Sequence, residues 1–252
     1  MKRVILIFRE GFDSRYILSC LKSFHTGNNI QIILESGTIA RKKKLTRLIK
    51  KYKWTKLFSF IIDMGALFFY DKIMCYKMKK LLGKQCNENF DFFHIEDVNE
   101  DRCIQYINEF EPDLILIYGT GIVSEKTLQQ IQCDFFNIHS SVLPYYRNVH
   151  SDFWAYLNDE YDKIGITIFK LNEGIDTGKI AKQKVCDIPF HSKLEEYKVR
   201  NLKIIVELIP VFIETYFMGK LDFLEQDEKA AFATQTPTAN DILKLFKKIR
   251  GK

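Results

Sequence analysis

Leu114-Ile115-Leu116-Ile117-Tyr118, entered from Pro112-Asp113 and left through Gly119-Thr120-Gly121, is an unbroken apolar run of strand length. A strand with one wet face alternates apolar and polar residues. A run that is apolar at every position suits a strand covered on both faces, as in parallel sheets flanked by crossover helices. Similar runs recur at Val4–Phe8, Ile30–Leu34, Phe92–Ile95, Phe135–His139 and Gly165–Leu171, with longer helix-period stretches between them. The alternation predicts an α/β fold, a Rossmann-like, mostly parallel twisted sheet with flanking helices. Ligands of such sheets sit beyond the carboxyl ends of the strands, so chemistry is sought in the residues that follow each strand.

The chain has 252 residues, 46% hydrophobic and 28% charged, with a formal net charge of +6. That balance excludes a disordered or collagen-like chain and permits one large domain, or one domain with a small appendage. The mild positive charge suits phosphorylated small molecules as well as nucleic acid and separates neither. The six cysteines are scattered with no CxxC pair, so they read as reduced thiols and no metal site is expected. Met1-Lys2-Arg3 leads into an apolar run too short for a signal core, which makes the cytoplasm the expected location. The first strand is followed by Arg9-Glu10-Gly11-Phe12-Asp13, without the GxGxxG or GxxxxGK[ST] spacing that cradles a dinucleotide or a nucleoside triphosphate.

Residues 41–84 hold 14 Lys or Arg against only Asp63 and Asp71, so this stretch is +12 and the remainder −6. Within it Arg41–Lys53 reads as a basic helix, and Leu57–Tyr70 is nearly all apolar but too short to span a bilayer, which needs about 20 residues. A solvated basic helix followed by a core or dimer-interface helix is the expected arrangement; membrane association is not expected, and a homodimer is compatible with the apolar run. Leu194–Gly219 has helical periodicity suited to covering one face of the sheet, with a kink expected at Pro210. Ile242–Lys252 reads as a short basic amphipathic helix that caps the fold.

The stretch 135–180 carries the chemistry. A strand ends in Asn137-Ile138-His139, a polar turn Ser140–Asn148 follows, and strand Gly165–Leu171 leads into Asn172-Glu173-Gly174-Ile175-Asp176-Thr177-Gly178. Asn137 and His139, two apart on a strand, point to one face, and Asp176 could reach the same strand-end cleft. An amide, an imidazole and a carboxylate suit acyl transfer to an amine. The Asn N–H stabilises an oxyanion, the His takes the proton that the amine sheds, and the Asp holds the His or relays the proton. A strand-end His is nevertheless more often structural, and Asp-Thr-Gly can be an ordinary turn, so the chemistry alone leaves both readings open.

The motifs Asn137-Ile138-His139, Leu143-Pro144-x-Tyr146-Arg147, Gly165-Ile166-Thr167 and Gly174-Ile175-Asp176-Thr177-Gly178, in this order, resemble the folate-dependent formyltransferase family. The resemblance extends back through Pro112–Ile115 and Gly119–Val123, covers roughly 110–190 well, and includes the N-terminal third only as a general fold. It implies that Asn137, His139 and Asp176 are the catalytic trio and that 10-formyltetrahydrofolate is the donor. It further implies that Thr120, Gly121, Ile122 and Val123 hold the pterin from one side, with Glu173, Gly174 and Asp176 closing the other. Three residues depart from the family pattern: Ser140 replaces a Pro or Gly, Asn148 replaces a Gly, and Phe169 stands where a His is common. The first two lie in the loop beside the trio.

The resemblance implies a formyltransferase-type domain at 1–190, with a basic and apolar helical insertion at about 41–84, and a small C-terminal helical extension at 191–252. The tRNA enzyme of the family carries a further C-terminal β-domain that the residues after the long helix are not expected to supply. The glycinamide ribonucleotide enzyme has a phosphate loop after its first strand that Arg9–Ser14 does not provide. By elimination the expected acceptor is the amine of a nucleotide-linked amino sugar of bacterial polysaccharide biosynthesis. Tyr146 and Arg147 are the candidate residues for its base or sugar and its phosphate. Both partners would be small molecules, and no nucleic acid is expected. The alternatives are transfer to another small amine such as glycinamide ribonucleotide, hydrolysis of the donor, and a non-enzymatic folate-binding relic.

Overall fold

The computed structural model describes residues 2–26, 29–36, 54–83 and 91–250. Its strands are β1 (Arg3–Arg9), β2 (Asn29–Glu35), β3 (Phe93–Ile95), β4 (Leu114–Tyr118), β5 (Asp134–His139), β6 (Tyr146–Arg147), β7 (Gly165–Lys170), β8 (Ile180–Val185) and β9 (Phe232–Ala233). Its helices are α1 (Phe12–Cys20), α2 (Lys22–Thr26), α3 (Trp54–Leu82), α4 (Asp101–Phe110), α5 (Glu125–Gln130), α6 (Ser151–Leu157), α7 (Leu194–Phe217) and α8 (Ala239–Arg250).

Seven strands form one sheet in the order β3-β2-β1-β4-β5-β7-β8. The first five pair in parallel, and β7 runs antiparallel to both β5 and β8. The expected mostly parallel sheet with flanking helices is the architecture found. β6 and β9 form a separate two-stranded pair.

Alternation along the central strands divides the core into two. Val4, Leu6, Phe8, Leu116, Phe136 and Ile138 face a layer built from α1, α3, α7 and α8. Ile5, Ile7, Ile115, Ile117 and Phe135 face α4 and the neighbouring loops. Every one of these residues is buried, which accounts for the continuous apolar runs. The α7 helix belongs to the first layer, where Phe212 meets Phe136 edge-on with ring centroids 5.0 Å apart. It continues without a break through Pro210, although proline has no N–H to donate to the preceding turn.

Two elements differ from the sequence reading. Ile180–Val185 is an edge strand, unexpected because Ile-Ala-Lys-Gln-Lys-Val lacks a continuous apolar run, and it is half exposed. The Leu57–Tyr70 run belongs to a longer helix, α3, that buries only Leu67 and Tyr70 within that run and leaves Phe58, Ile61, Ile62, Phe68 and Phe69 exposed. The expected helix Arg41–Lys53 lies outside the described residues.

Candidate active site

The second half of β5, the turn that follows it and the turn after β7 come together around three polar side chains. Asn137 and His139 occupy alternate positions on β5, and their direct cross-strand partners on β7 are Phe169 and Thr167. Thr167 anchors the turn that follows His139. Its hydroxyl donates to Ser141 O at 2.6 Å and accepts from the Leu143 N–H and from Gln183 Nε2. Phe169 is fully buried against Leu143 and Ile180, so it fills space beside Asn137 and carries no proton.

Asp176 reaches the same place from the second turn. Its Oδ1 lies 3.5 Å from Asn137 Nδ2, and its Oδ2 lies 3.7 Å from His139 Nδ1. Both separations are long for hydrogen bonds, so the three groups face one another without being locked together, as is common in ligand-free sites. A firmer contact holds the carboxylate, whose Oδ2 accepts the Asn148 N–H at 2.6 Å. The turn returns closely on the sheet at Gly178, where any Cβ would strike the carbonyl of Lys170.

The other face of the imidazole decides its tautomer. His139 Nε2 lies 2.8 Å from the Tyr146 carbonyl and 3.2 Å from Ser151 Oγ. A carbonyl can only accept, so Nε2 carries the hydrogen. Nδ1 is then the basic nitrogen, and it faces Asp176. The Ser151 hydroxyl has Asn148 O as its own acceptor at 3.1 Å, which leaves its oxygen turned toward Nε2.

The departures in the adjoining loop have structural explanations. Asn148 has φ +75°, in the left-handed region that favours glycine and that asparagine tolerates best among the other residues. Its side chain also donates to Thr234 O at 3.0 Å. Ser140 hydrogen-bonds the Tyr118 hydroxyl at the end of β4. Replacing Asn148 by alanine is expected to cost about 1 kcal/mol through backbone strain, whereas glycine should stay within about 0.5 kcal/mol of the parent. Urea unfolding of the two variants checks this, and equal stability would contradict the strain argument.

Tyr146 and Arg147 occupy interior positions. The Tyr146 hydroxyl bonds Glu160 and accepts from Asn158, and Arg147 holds both carboxylate oxygens of Glu228 at 2.7 and 2.9 Å together with Gln226 Oε1. Both are buried. This clamp ties the loop after His139 to residues 226–234, a segment that the sequence reading passed over. Gln226 Nε2 donates to the carbonyls of Asp176 and Gly178, so one side chain joins the Arg147 loop to the Asp176 turn. Buried Thr234 sits 2.6 Å from the carbonyls of both Arg147 and Val149. Ser151, Gln226 and Thr234 share no motif, and their roles arise from contacts across the fold.

A buried ion pair anchors α6, the helix that begins with Ser151. Lys198 on α7 meets Asp152 Oδ2 at 2.5 Å. Burial alone would lower the lysine pKa, but Asp152, Tyr70 and Asp13 around it raise it above its ordinary value. Desolvation by burial raises the pKa of Asp13 itself. Replacing Lys198 by methionine would strand the Asp152 carboxylate and is expected to destabilise the fold by about 3 kcal/mol. Adding Asp152→Asn should restore about half of that loss. Thermal or urea unfolding of the single and double variants decides it, and a stable Lys198→Met protein would contradict the pairing.

A cleft of about 400 Å³ lies between α5 residues Glu125, Leu128 and Gln129 and the Asn172–Gly174 stretch, so Glu173 and Gly174 line it. Thr120–Val123 forms the adjacent loop. Its Gly121 N–H is held by buried Glu35 and its Ile122 carbonyl by Asn99, while the Ile122 side chain is 73% exposed. Arg9 completes this support by bonding Glu35 and the Gly119 carbonyl.

Residues 1–212 match the family model described as formyl transferase. A methionyl-tRNA formyltransferase from Thermotoga maritima is 27% identical over 158 residues, covering 62% of this chain and 50% of that protein. The chain thus spans about half the length of the curated relatives it matches. The fold is similar to that of an N-formyltransferase from Helicobacter canadensis in complex with folinic acid and dTDP-3-aminofucose. That match has a TM-score of 0.58 and 15% identity, over 99% of this chain and 82% of that one. A 4-N formyltransferase from Francisella tularensis gives a TM-score of 0.58 at 15% identity, over 92% and 76% of the two chains.

Proposed function

The chain belongs to the formyl transferase family, and from that premise we propose that it moves a formyl group from 10-formyltetrahydrofolate to the amine of a nucleotide-linked amino sugar. The observation that carries the reading is the convergence of Asn137, His139 and Asp176, with His139 Nδ1 turned toward the Asp176 carboxylate.

The chemistry follows from these atoms. In this reading the backbone of Thr120–Val123 lies beside the pterin with Ile122 as an apolar wall, Glu173 and Gly174 close the other side, and the formyl carbon is presented to Asn137. The acceptor amine attacks that carbon, a new C–N bond forms, and the carbonyl oxygen becomes an oxyanion to which Asn137 Nδ2 donates. The amine loses a proton to His139 Nδ1. Asp176 stabilises the resulting imidazolium, and Asn148 holds that carboxylate in place. Collapse of the intermediate breaks the bond from the formyl carbon to N10 of the folate, and the proton passes to N10. The products are a formamide and tetrahydrofolate, with no other reactant required. No metal or covalent enzyme intermediate enters this route.

The amino-sugar acceptor is supported by the neighbour whose complex contains dTDP-3-aminofucose. A second reading, transfer to the amine of an aminoacyl-tRNA, is favoured by the methionyl-tRNA formyltransferases among the sequence relatives. Incubation with 10-formyltetrahydrofolate and either amino-sugar nucleotides or methionyl-tRNA, followed by mass analysis, separates the two. Formylated sugar nucleotide supports the first reading and formylated aminoacyl-tRNA replaces it with the second. Donor loss without any acceptor indicates hydrolysis, and no turnover with any partner overturns the assignment.

A further inference from the structure

The α3 helix presents an apolar surface that nothing in the described fold covers. Its inner side is accounted for, since Leu67, Tyr70, Met74 and Met78 are buried in the core layer. On its outer side Phe58, Ile61, Ile62, Phe68 and Phe69 are between 48% and 68% exposed. Ile61 and Ile62 lie three and four residues after Phe58, and Phe68 and Phe69 lie two turns, seven residues, beyond them, so the five share one helix face as a stripe about three turns long. Scattered exposed hydrophobic residues need no explanation, but five large ones in a single stripe mark an interaction site.

The charge around the stripe distinguishes among occupants. Lys72, Lys79 and Lys80 on the same helix are exposed, and Lys72 Nζ lies over the Phe68 ring at 5.3 Å. The α8 helix packs against α3, where its Ala239 N–H donates to Asp63 Oδ1 at 2.8 Å, and adds exposed Lys244, Lys247 and Arg250. In sequence, α3 lies within the stretch 41–84, which carries +12. A second copy would bring one such positive region against another and be repelled. An anionic lipid surface offers apolar depth for the phenylalanines and headgroup charge for the lysines, which is the chemistry of an interfacial helix. No helix among the described residues is long and apolar enough to cross a membrane, so the helix would lie in the plane of the interface.

We propose that the outer face of α3 docks the protein on an anionic bilayer surface, with Phe58, Ile61, Ile62, Phe68 and Phe69 entering the headgroup boundary and the flanking lysines contacting anionic headgroups. This inference is independent of the formyl-transfer reading.

Cosedimentation of the full chain with phosphatidylcholine vesicles, with and without phosphatidylglycerol, tests it. The protein is expected to bind the phosphatidylglycerol vesicles, to release as salt is raised, and to bind neutral vesicles weakly. The triple variant Phe58→Ser/Phe68→Ser/Phe69→Ser should lower the partition coefficient at least about tenfold. Because these side chains are exposed, its circular dichroism should match the parent. Protein that stays in the supernatant with both vesicle types overturns the proposal. A light-scattering mass that falls from dimer to monomer in the triple variant, without vesicle binding, assigns the face to a second copy instead. Vesicle binding that the triple variant retains in full also overturns the assignment to this face.

Discussion

Replacing His139 by alanine is expected to lower turnover by about a hundredfold to ten-thousandfold, the usual contribution of a positioned acid-base group. In the proposed transfer the attacking nitrogen loses a proton as its bond to the formyl carbon forms, and His139 Nδ1 is the basic nitrogen available, because the Tyr146 carbonyl accepts from Nε2. The substitution removes that base and little else. The Tyr146 carbonyl keeps the Ser141 hydroxyl at 2.6 Å, and Asp176 keeps the Asn148 N–H at 2.6 Å, so neither is left bare. The loss should fall on kcat, with KM for the donor changing much less. Steady-state kinetics beside an unfolding curve check this, and a near-normal kcat in a folded His139→Ala protein would remove the residue from the chemistry.

Asn137→Ala is expected to cost about a hundredfold to a thousandfold in kcat, the range measured when one oxyanion donor is removed from a comparable acyl-transfer site. Asn137 is held by its strand. β4 pairs with it on one side and Phe169 lies opposite on the other, so the amide has a preset direction and no reorganisation is needed as charge develops. Asn137→Asp should be at least as damaging, since it puts a negative charge where an oxyanion forms and beside Asp176. If the aspartate variant outperforms the alanine variant, Asn137 is not the donor. Both changes leave Asp176 with the Asn148 N–H, so stability should fall far less than rate.

Much of the candidate site's geometry was legible locally. Asn137 and His139 share a face because a strand repeats every two residues, and the Asp176 turn is announced by its flanking glycines, of which Gly178 allows the close return onto Lys170. The left-handed backbone at Asn148 also explains why an asparagine stands in a glycine position. Arg147 shows the limit. An arginine in a polar turn is a reasonable candidate for a phosphate contact, yet Gln226 and Glu228, some 80 residues later, occupy its guanidinium. The α3 helix shows the same limit in reverse, because an apolar run reads as buried whether or not the fold supplies something to bury it against.

The amino-acid sequence by itself determined the α/β class, the positions of β1–β5 and β7 and the motifs that mark the family, since these depend on periodicity and on residues adjacent along the chain. Tertiary structure alone decided the tautomer of His139, the enclosure of Arg147, the bracing by Gln226 and Thr234, and the exposed face of α3. Each of these depends on which distant segment arrives within hydrogen-bonding or packing distance, and that is fixed by how the sheet and helices pack, not by any local run of residues.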